Sequence, residues 1–278
     1  MNLEELIVRS RKRKAIDEFI GIVYKRDSKI HFRYRKDFNE LFVPATEYRE
    51  FTKGKPYDGV IIWIIESPHK WEFKIDIPLF PSGRHHARPL NNPATQEFVK
   101  PVYEERINSF FGERLEEGQV FLVLLVNAVQ YQCSLGEKTS LYRDKAFVGN
   151  WLRGGREDFL ERVRSYDGDI YINSCTKGSI NRNFLERNYN LIEKGEGPFK
   201  VKEINGTLGL HGIVEAELED AGLIGWDNYI RYPHPSYFVY QEAKGGRVHF
   251  PEPETLSLSP VIHMDYRKEH IQLTIKAR

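Results

Sequence analysis

The apolar positions of this chain fall into a few unbroken runs, and each run stops at a polar cluster. Val60–Ile65 (VIIWII) is six apolar residues long and Val120–Val126 (VFLVLLV) is seven. Runs of this length without alternation suit strands buried on both faces, as in a parallel sheet. A shorter strand is expected at Asp169–Ile172 and a fourth at Tyr229–Tyr232. Between them the periodicity becomes helical, over residues 93–118, around Glu157–Ser165, over 180–193 and over 213–221. Residues 1–20 read as one amphipathic helix with a basic middle (Arg9, Arg11, Lys12, Arg13, Lys14), and residues 21–34 as a hairpin. The segment from there to Asp58 reads as irregular. Glycines spaced through 195–212 predict an insertion or a hairpin, and alternation after residue 240 predicts a further hairpin.

The resulting order of strands and helices predicts an α/β fold: a three-layer αβα sandwich around a central, mostly parallel four-stranded sheet. Residues 1–57 would form an N-terminal extension, 58–240 the main domain, and 241–278 a C-terminal extension packed on it. In such sheets ligands bind beyond the carboxyl ends of the strands. The first run ends in Glu66-Ser67-Pro68-His69-Lys70, where Pro68 cannot continue a sheet ladder. The second delivers Asn127 and then Tyr131. The third ends in Asn173-Ser174-Cys175-Thr176-Lys177, and the fourth in Pro233-His234-Pro235-Ser236.

Composition narrows the class. The chain has 278 residues, 40% apolar and 29% charged, as expected of a globular domain with a full core. No run of 18 apolar residues occurs and the first residues lack a signal-peptide core, so a cytoplasmic protein without a membrane segment is expected. The two cysteines, Cys133 and Cys175, are too few for a disulfide framework and are not spaced as metal ligands. Two adjacent histidines, His85 and His86, lack a third ligand at a useful spacing, so neither metal nor cofactor is expected. The net charge is only +1, so affinity for nucleic acid would have to come from a local patch.

Two readings of Asn127 and Glu66 stand side by side. An asparagine closing a buried strand either ties down its own loop or offers its amide to a ligand. Glu66 either pairs with Lys70 across the turn or serves as a catalytic carboxylate.

Taken in order, ESPHK, the strand-terminal Asn127 and His234-Pro235-Ser236 resemble the motifs of the uracil-DNA glycosylase superfamily. That family has a first motif of the type GQDPYH or GEAPG, a mid-chain asparagine and a late HPS motif. Glu66, Ser67 and Pro68 match the first motif, and His69 stands where the family has Tyr or Gly. The segment Ala87–Ala94, with Arg88 and Leu90, resembles GRPFVGRAG, and Leu90 takes the place of a base-stacking aromatic residue. Ser67 replaces the water-positioning Asp of the uracil-specific branch, and the insertion Glu72–His86 is long.

The resemblance implies a DNA glycosylase that hydrolyses the N-glycosidic bond of a flipped-out modified or damaged base. Glucosylated hydroxymethylcytosine in phage DNA is a candidate substrate, removed by family members in phage defence. The implied roles are catalytic for Glu66, Asn127 and His234, with Asp76 or Glu72 as fallback carboxylates. Ser67, Pro68, His69, Leu90, Asn127 and Tyr131 would hold the base, and Lys70, Arg88, Lys177 and Ser236 the DNA. DNA is the expected partner, with no obligatory protein partner. The alternatives are a non-catalytic α/β nucleic-acid-binding module and a metal-dependent nuclease using Glu66, Asp76, His85 and His86.

Overall fold

The structure, a computed structural model, describes residues 3–34, 44–51, 57–68, 86–87, 102–106, 108–133, 139–178, 180, 199–234, 237–238, 251–265 and 272–275. In chain order the elements are α1 (Leu3–Ser10), β1 (Lys14–Ala15), β2 (Glu18–Arg26), β3 (Lys29–Tyr34), α2 (Tyr48–Phe51), β4 (Gly59–Ile65), β5 (His86–Ala87) and α3 (Asn108–Gly112). They continue with β6 (Val120–Asn127), α4 (Thr139–Asn150), α5 (Arg156–Tyr166), β7 (Ile170–Asn173), β8 (Phe199–Ile204), β9 (Thr207–Leu208) and α6 (Leu210–Asp220). The last are β10 (Tyr229–Arg231), β11 (Glu254–Thr255), β12 (Val261–Asp265) and β13 (Gln272–Ile275).

The protein is a mixed α/β fold built on a seven-stranded sheet of order β11-β10-β7-β4-β6-β2-β3. The four strands expected from the apolar runs form its centre, and β10, β7, β4 and β6 are mutually parallel. The expectation of a four-stranded sheet is corrected at both edges. The hairpin β2–β3 adds two strands antiparallel to β6, and β11 pairs antiparallel with β10. A separate four-stranded sheet, β13-β12-β8-β9, contains both predicted later hairpins.

Strand β4 explains why the centre holds. All seven of its residues are buried. Side chains alternate across a strand, so Val60, Ile62 and Ile64 face one core and Ile61, Trp63 and Ile65 the other. The first core is closed by Leu6, Phe147, Trp151, Phe159, Val163, Val214 and Leu218 from α1, α4, the turn of wide helix at Trp151–Gly155, α5 and α6. The second is closed by Val102, Tyr103, Phe110 and Phe111 from the turn of wide helix at Val102–Arg106 and from α3. Each such fully buried apolar side chain stabilises the fold by roughly 1.5–3 kcal/mol. The one polar atom on the β4 side chains, Trp63 Nε1, donates to Ser174 Oγ at 2.7 Å, so the indole is buried without a lost hydrogen bond.

The single helix expected over residues 1–20 is corrected. Only Leu3–Ser10 is helical, and the chain is extended from Glu18 because β2 pairs with β6. Apolar positions at Phe19 and Ile20 fit a helix face and a strand equally well, and pairing with β6 decides between them. Gly21 is required there, since a Cβ would lie 2.3 Å from the Arg33 carbonyl oxygen. The segment expected to be irregular before Asp58 contains a short helical stretch, Ala45–Phe51. Of the helix expected over 93–118, the described residues show Val102–Arg106 and α3. The helix expected over 180–193 lies outside the described residues but for Ile180. Helices α4 and α5 are separated by a break at Arg153 and Gly154, where Gly154 takes φ +90°.

Candidate functional site

The four parallel strands end level with one another. Ile65 is in register with Asn127, Ile64 with Asn173, and Arg231 also with Asn173. The residues immediately beyond these positions therefore share one edge of the sheet. They include Glu66, Ser67, Asn127, Thr176, Lys177 and His234.

Glu66 is buried, and its carboxylate bridges two elements. Its Oε2 accepts the Thr176 backbone N–H at 2.9 Å, and its Oε1 faces Arg143 Nη1 at 3.4 Å. Arg143 comes from α4 and is held in turn by the fully buried Asp144, whose Oδ1 accepts from Arg143 Nε at 2.9 Å. Among the described residues the ion-pair partner of Glu66 is Arg143; Lys70, the partner in one reading of the sequence, lies outside the described residues. Ser67 is buried with its Oγ against the Cys133 thiol and makes no hydrogen bond of good geometry. Burial pushes the Cys133 thiol up to about 12, with Ser67 opposing and the Glu66 charge adding to the rise. That thiol stays protonated and unreactive at neutral pH. Pro68 is buried beside it.

Strands β6 and β7 both end in asparagine, and the two behave differently. Asn173 is fully used. Its Nδ2 donates to the His211 carbonyl at 3.0 Å and to Tyr229 Oη at 2.9 Å, and its Oδ1 accepts the Cys175 N–H at 3.1 Å. It ties down its own loop. Asn127 is fully buried, yet neither Oδ1 nor Nδ2 has a hydrogen-bond partner. Its backbone, by contrast, is clamped. Asn127 N–H donates to Asp17 Oδ1 at 3.1 Å, and its carbonyl accepts from Arg162 Nη2 at 3.0 Å. Asp17 and Arg162 form an ion pair, and Tyr166 Oη donates to the same Asp17 carboxylate at 2.9 Å. A buried amide left without partners costs roughly 1–3 kcal/mol, and here it sits on a rigid mount at the ligand edge of the sheet.

Beyond the ends of β7 and β10 lies a cavity of about 790 Å³, whose walls include Thr176, Lys177, His211, Arg231, His234 and Glu254. His234 is partly buried. Burial lowers its pKa, the Glu66 charge pulls it back up and Arg143 lowers it again, for a net decrease. The imidazole is therefore neutral at pH 7 and carries one N–H. Lys177 is exposed at the cavity mouth.

No family model, no curated protein and no solved structure matches this chain.

Of the residues singled out from sequence, Glu66, Ser67, Pro68, Asn127, Lys177 and His234 lie at the common sheet edge. Tyr131 is partly buried, with its ring beneath Arg11 and Lys14, 5.4 and 6.0 Å from the ring centre. Arg11 is further held by Asn150 Oδ1 and the Arg153 carbonyl, so this part of the basic N-terminal stretch braces α4. His69, Lys70, Glu72, Asp76, His85, Arg88, Leu90 and Ser236 lie outside the described residues. His86 pairs through its backbone in β5. Among the described residues no group of three His, Cys, Asp or Glu side chains could hold a metal ion. Nor is any helix among them long and apolar enough to cross a membrane.

Sequence reading missed Arg143, Asp17, Arg162 and His211. Arg143 sits 77 residues from Glu66, Arg162 sits 145 from Asp17, and no local pattern links either pair. His211 stands in a Gly-Leu-His-Gly run at the start of α6, an oddity that carries no chemical signature by itself.

Proposed function

We propose that the protein is a DNA glycosylase that hydrolyses the N-glycosidic bond of a flipped-out base. The observation that carries this reading is the contrast between the two strand-terminal asparagines. Asn173 is consumed by structure, whereas the Asn127 carboxamide is buried and unpartnered on a backbone held by Asp17 and Arg162. A carboxamide offers one acceptor and two donors in a plane, which suits the hydrogen-bonding edge of a base.

The chemistry follows from the charges at the edge. As the bond between the sugar C1′ and the base nitrogen breaks, its electrons leave with the base and positive charge grows on the sugar. The neutral His234 donates its N–H to the departing base oxygen, where negative charge develops. The Glu66 carboxylate, held by Arg143 and the Thr176 N–H, stabilises the sugar cation and orients a water. The water oxygen bonds to C1′, and the proton it sheds passes by way of Glu66 to the released base anion. An abasic site and a free base result. Ser67 lines the approach, and Lys177 meets the DNA backbone. Modified cytosines, glucosylated hydroxymethylcytosine among them, are the candidate bases.

The test is mass spectrometry of small products released from DNA carrying uracil, deaminated or alkylated bases, and hydroxymethylated or glucosylated cytosine. Free base from the wild type, lost in His234→Ala and Asn127→Ala, is expected. No base from any of these DNAs would overturn the reading. One observation favours a non-catalytic nucleic-acid-binding module instead: both Glu66 oxygens are already engaged. In that case Glu66→Gln would alter DNA affinity or stability and no base would ever be released.

A further inference from the structure

The cavity beside His234 holds a second histidine that the reaction above does not use. His211, in the first turn of α6, is 5% exposed, and neither Nδ1 nor Nε2 has a hydrogen-bond partner. A neutral imidazole always carries one N–H and one lone pair, so both capacities go unused here. The hydroxyl of Thr176, in the same wall, is likewise buried and unpartnered. The backbone that carries the ring is held in place on both sides. The His211 backbone N–H donates to the Thr176 carbonyl at 3.2 Å, and the His211 carbonyl accepts from Asn173 Nδ2 at 3.0 Å. Gly209 packs so closely that a Cβ there would lie 2.1 Å from the Lys177 carbonyl oxygen and 2.5 Å from the ring.

The charges around the cavity cancel. Lys177 and Arg231 are matched by Glu252 and Glu254. Arg231 is already committed, to Glu215 at 2.6 Å and to Glu254 at 3.1 Å. An anionic group would meet the Glu252 and Glu254 carboxylates, and a cationic group would meet Lys177 and Arg231. An uncharged group with its own donors and acceptors would satisfy His211 and Thr176 at once. The volume lies in the range of sites that take drug-sized ligands, about 300–1,000 Å³, which exceeds a single base ring.

We propose that this cavity is a specificity pocket for an uncharged, hydrogen-bonding substituent on the ligand, read by His211 and Thr176. As the substituent of a base whose reacting end lies at His234, it rests on the glycosylase reading. A free nucleoside carrying the same group offers the same chemistry.

The probes are fluorescent duplex oligonucleotides carrying one cytosine whose 5-substituent is hydroxymethyl, a neutral glycosyl ether, carboxyl or aminomethyl. The four corresponding free nucleosides serve as competitors. Binding is read by anisotropy and base release by mass spectrometry. Wild type is expected to bind at least one neutral substituent about tenfold more tightly than both charged ones, the difference one unmet buried hydrogen bond makes. His211→Leu and, separately, Thr176→Val should each reduce that preference severalfold. Far-UV circular dichroism and melting temperature verify folding, so if one variant fails to fold the other still decides. Equal binding of all four substituents by the wild type would overturn the proposal, and so would a preference unchanged in a folded variant. Competition by the free nucleoside would assign the pocket to small molecules. Discrimination without base release would leave the pocket standing and remove the glycosylase reading; base release without discrimination would do the reverse.

Discussion

Protonation of His211 should destabilise the fold, and the size of the effect can be worked out. Burial, with Arg231 and Lys177 nearby, lowers its pKa from 6.5 to about 4, against smaller upward pulls from Glu215 and Glu254. Between these values the unfolded chain binds a proton that the folded chain refuses. Stability therefore rises with pH across this window and is lost as pH falls from about 6.5 toward 4. At about 1.4 kcal/mol per pH unit, the whole window amounts to about 3 kcal/mol, of which about 2 kcal/mol is gone by pH 5. Other groups titrate in the same range. His234, also lowered, acts in the same direction, whereas Glu217, raised by burial, acts in the opposite one. The quantity to measure is therefore a difference: urea unfolding free energies at pH 8 and pH 5, for wild type and for His211→Gln. The variant should lose about 2 kcal/mol less than wild type over that interval. Equal losses in the two proteins would show that His211 is not held neutral in the fold.

Three further outcomes are expected. Arg162→Met strands the buried Asp17 carboxylate and should lower the unfolding free energy by about 3–5 kcal/mol, whereas the double variant Asp17→Leu/Arg162→Met should be milder, as a double-mutant cycle by urea denaturation would reveal. Asn127→Leu removes a buried amide that has no partner, so the melting temperature should hold or rise while base release falls at least a hundredfold. Incubation with a chelator should leave base release unchanged, since the residues assigned to the reaction are Glu66, Asn127 and His234; loss of activity on chelation and its return with a divalent cation would favour the nuclease alternative.

The parallel centre of the fold was legible because a strand buried on both faces leaves an unbroken apolar run, and β4 and β6 have no competing pattern. The hairpins at β8–β9 and β12–β13 were legible from glycine placement and alternation. The N-terminal segment was misread because Phe19 and Ile20 satisfy two periodicities, and only β6, a hundred residues on, selects one. Asp17 and Glu18 are fully buried acids, which local pattern would place in solvent. Within the site, the positions of Glu66, Asn127 and His234 followed from where strands end. Their partners did not. Arg143 and Arg162 reach them through space from helices, and nothing in their own neighbourhoods marks them; Thr176 stands in a marked strand-end cluster, but its backbone N–H on Glu66 is a contact that no pattern announces.

The antiparallel attachment of β2 has a consequence for synthesis. Glu18 pairs with Leu125, so this strand leaves the ribosome and waits for a partner more than a hundred residues behind it. At about 5–20 residues per second, that delay is on the order of ten seconds. Throughout it the β2–β3 hairpin displays Phe19, Ile20 and Val23 with a strand edge open to any other chain. Mutations that slow translation between β4 and β6 would lengthen that exposure. Their cost would appear as aggregation of nascent protein while the finished molecule kept its stability.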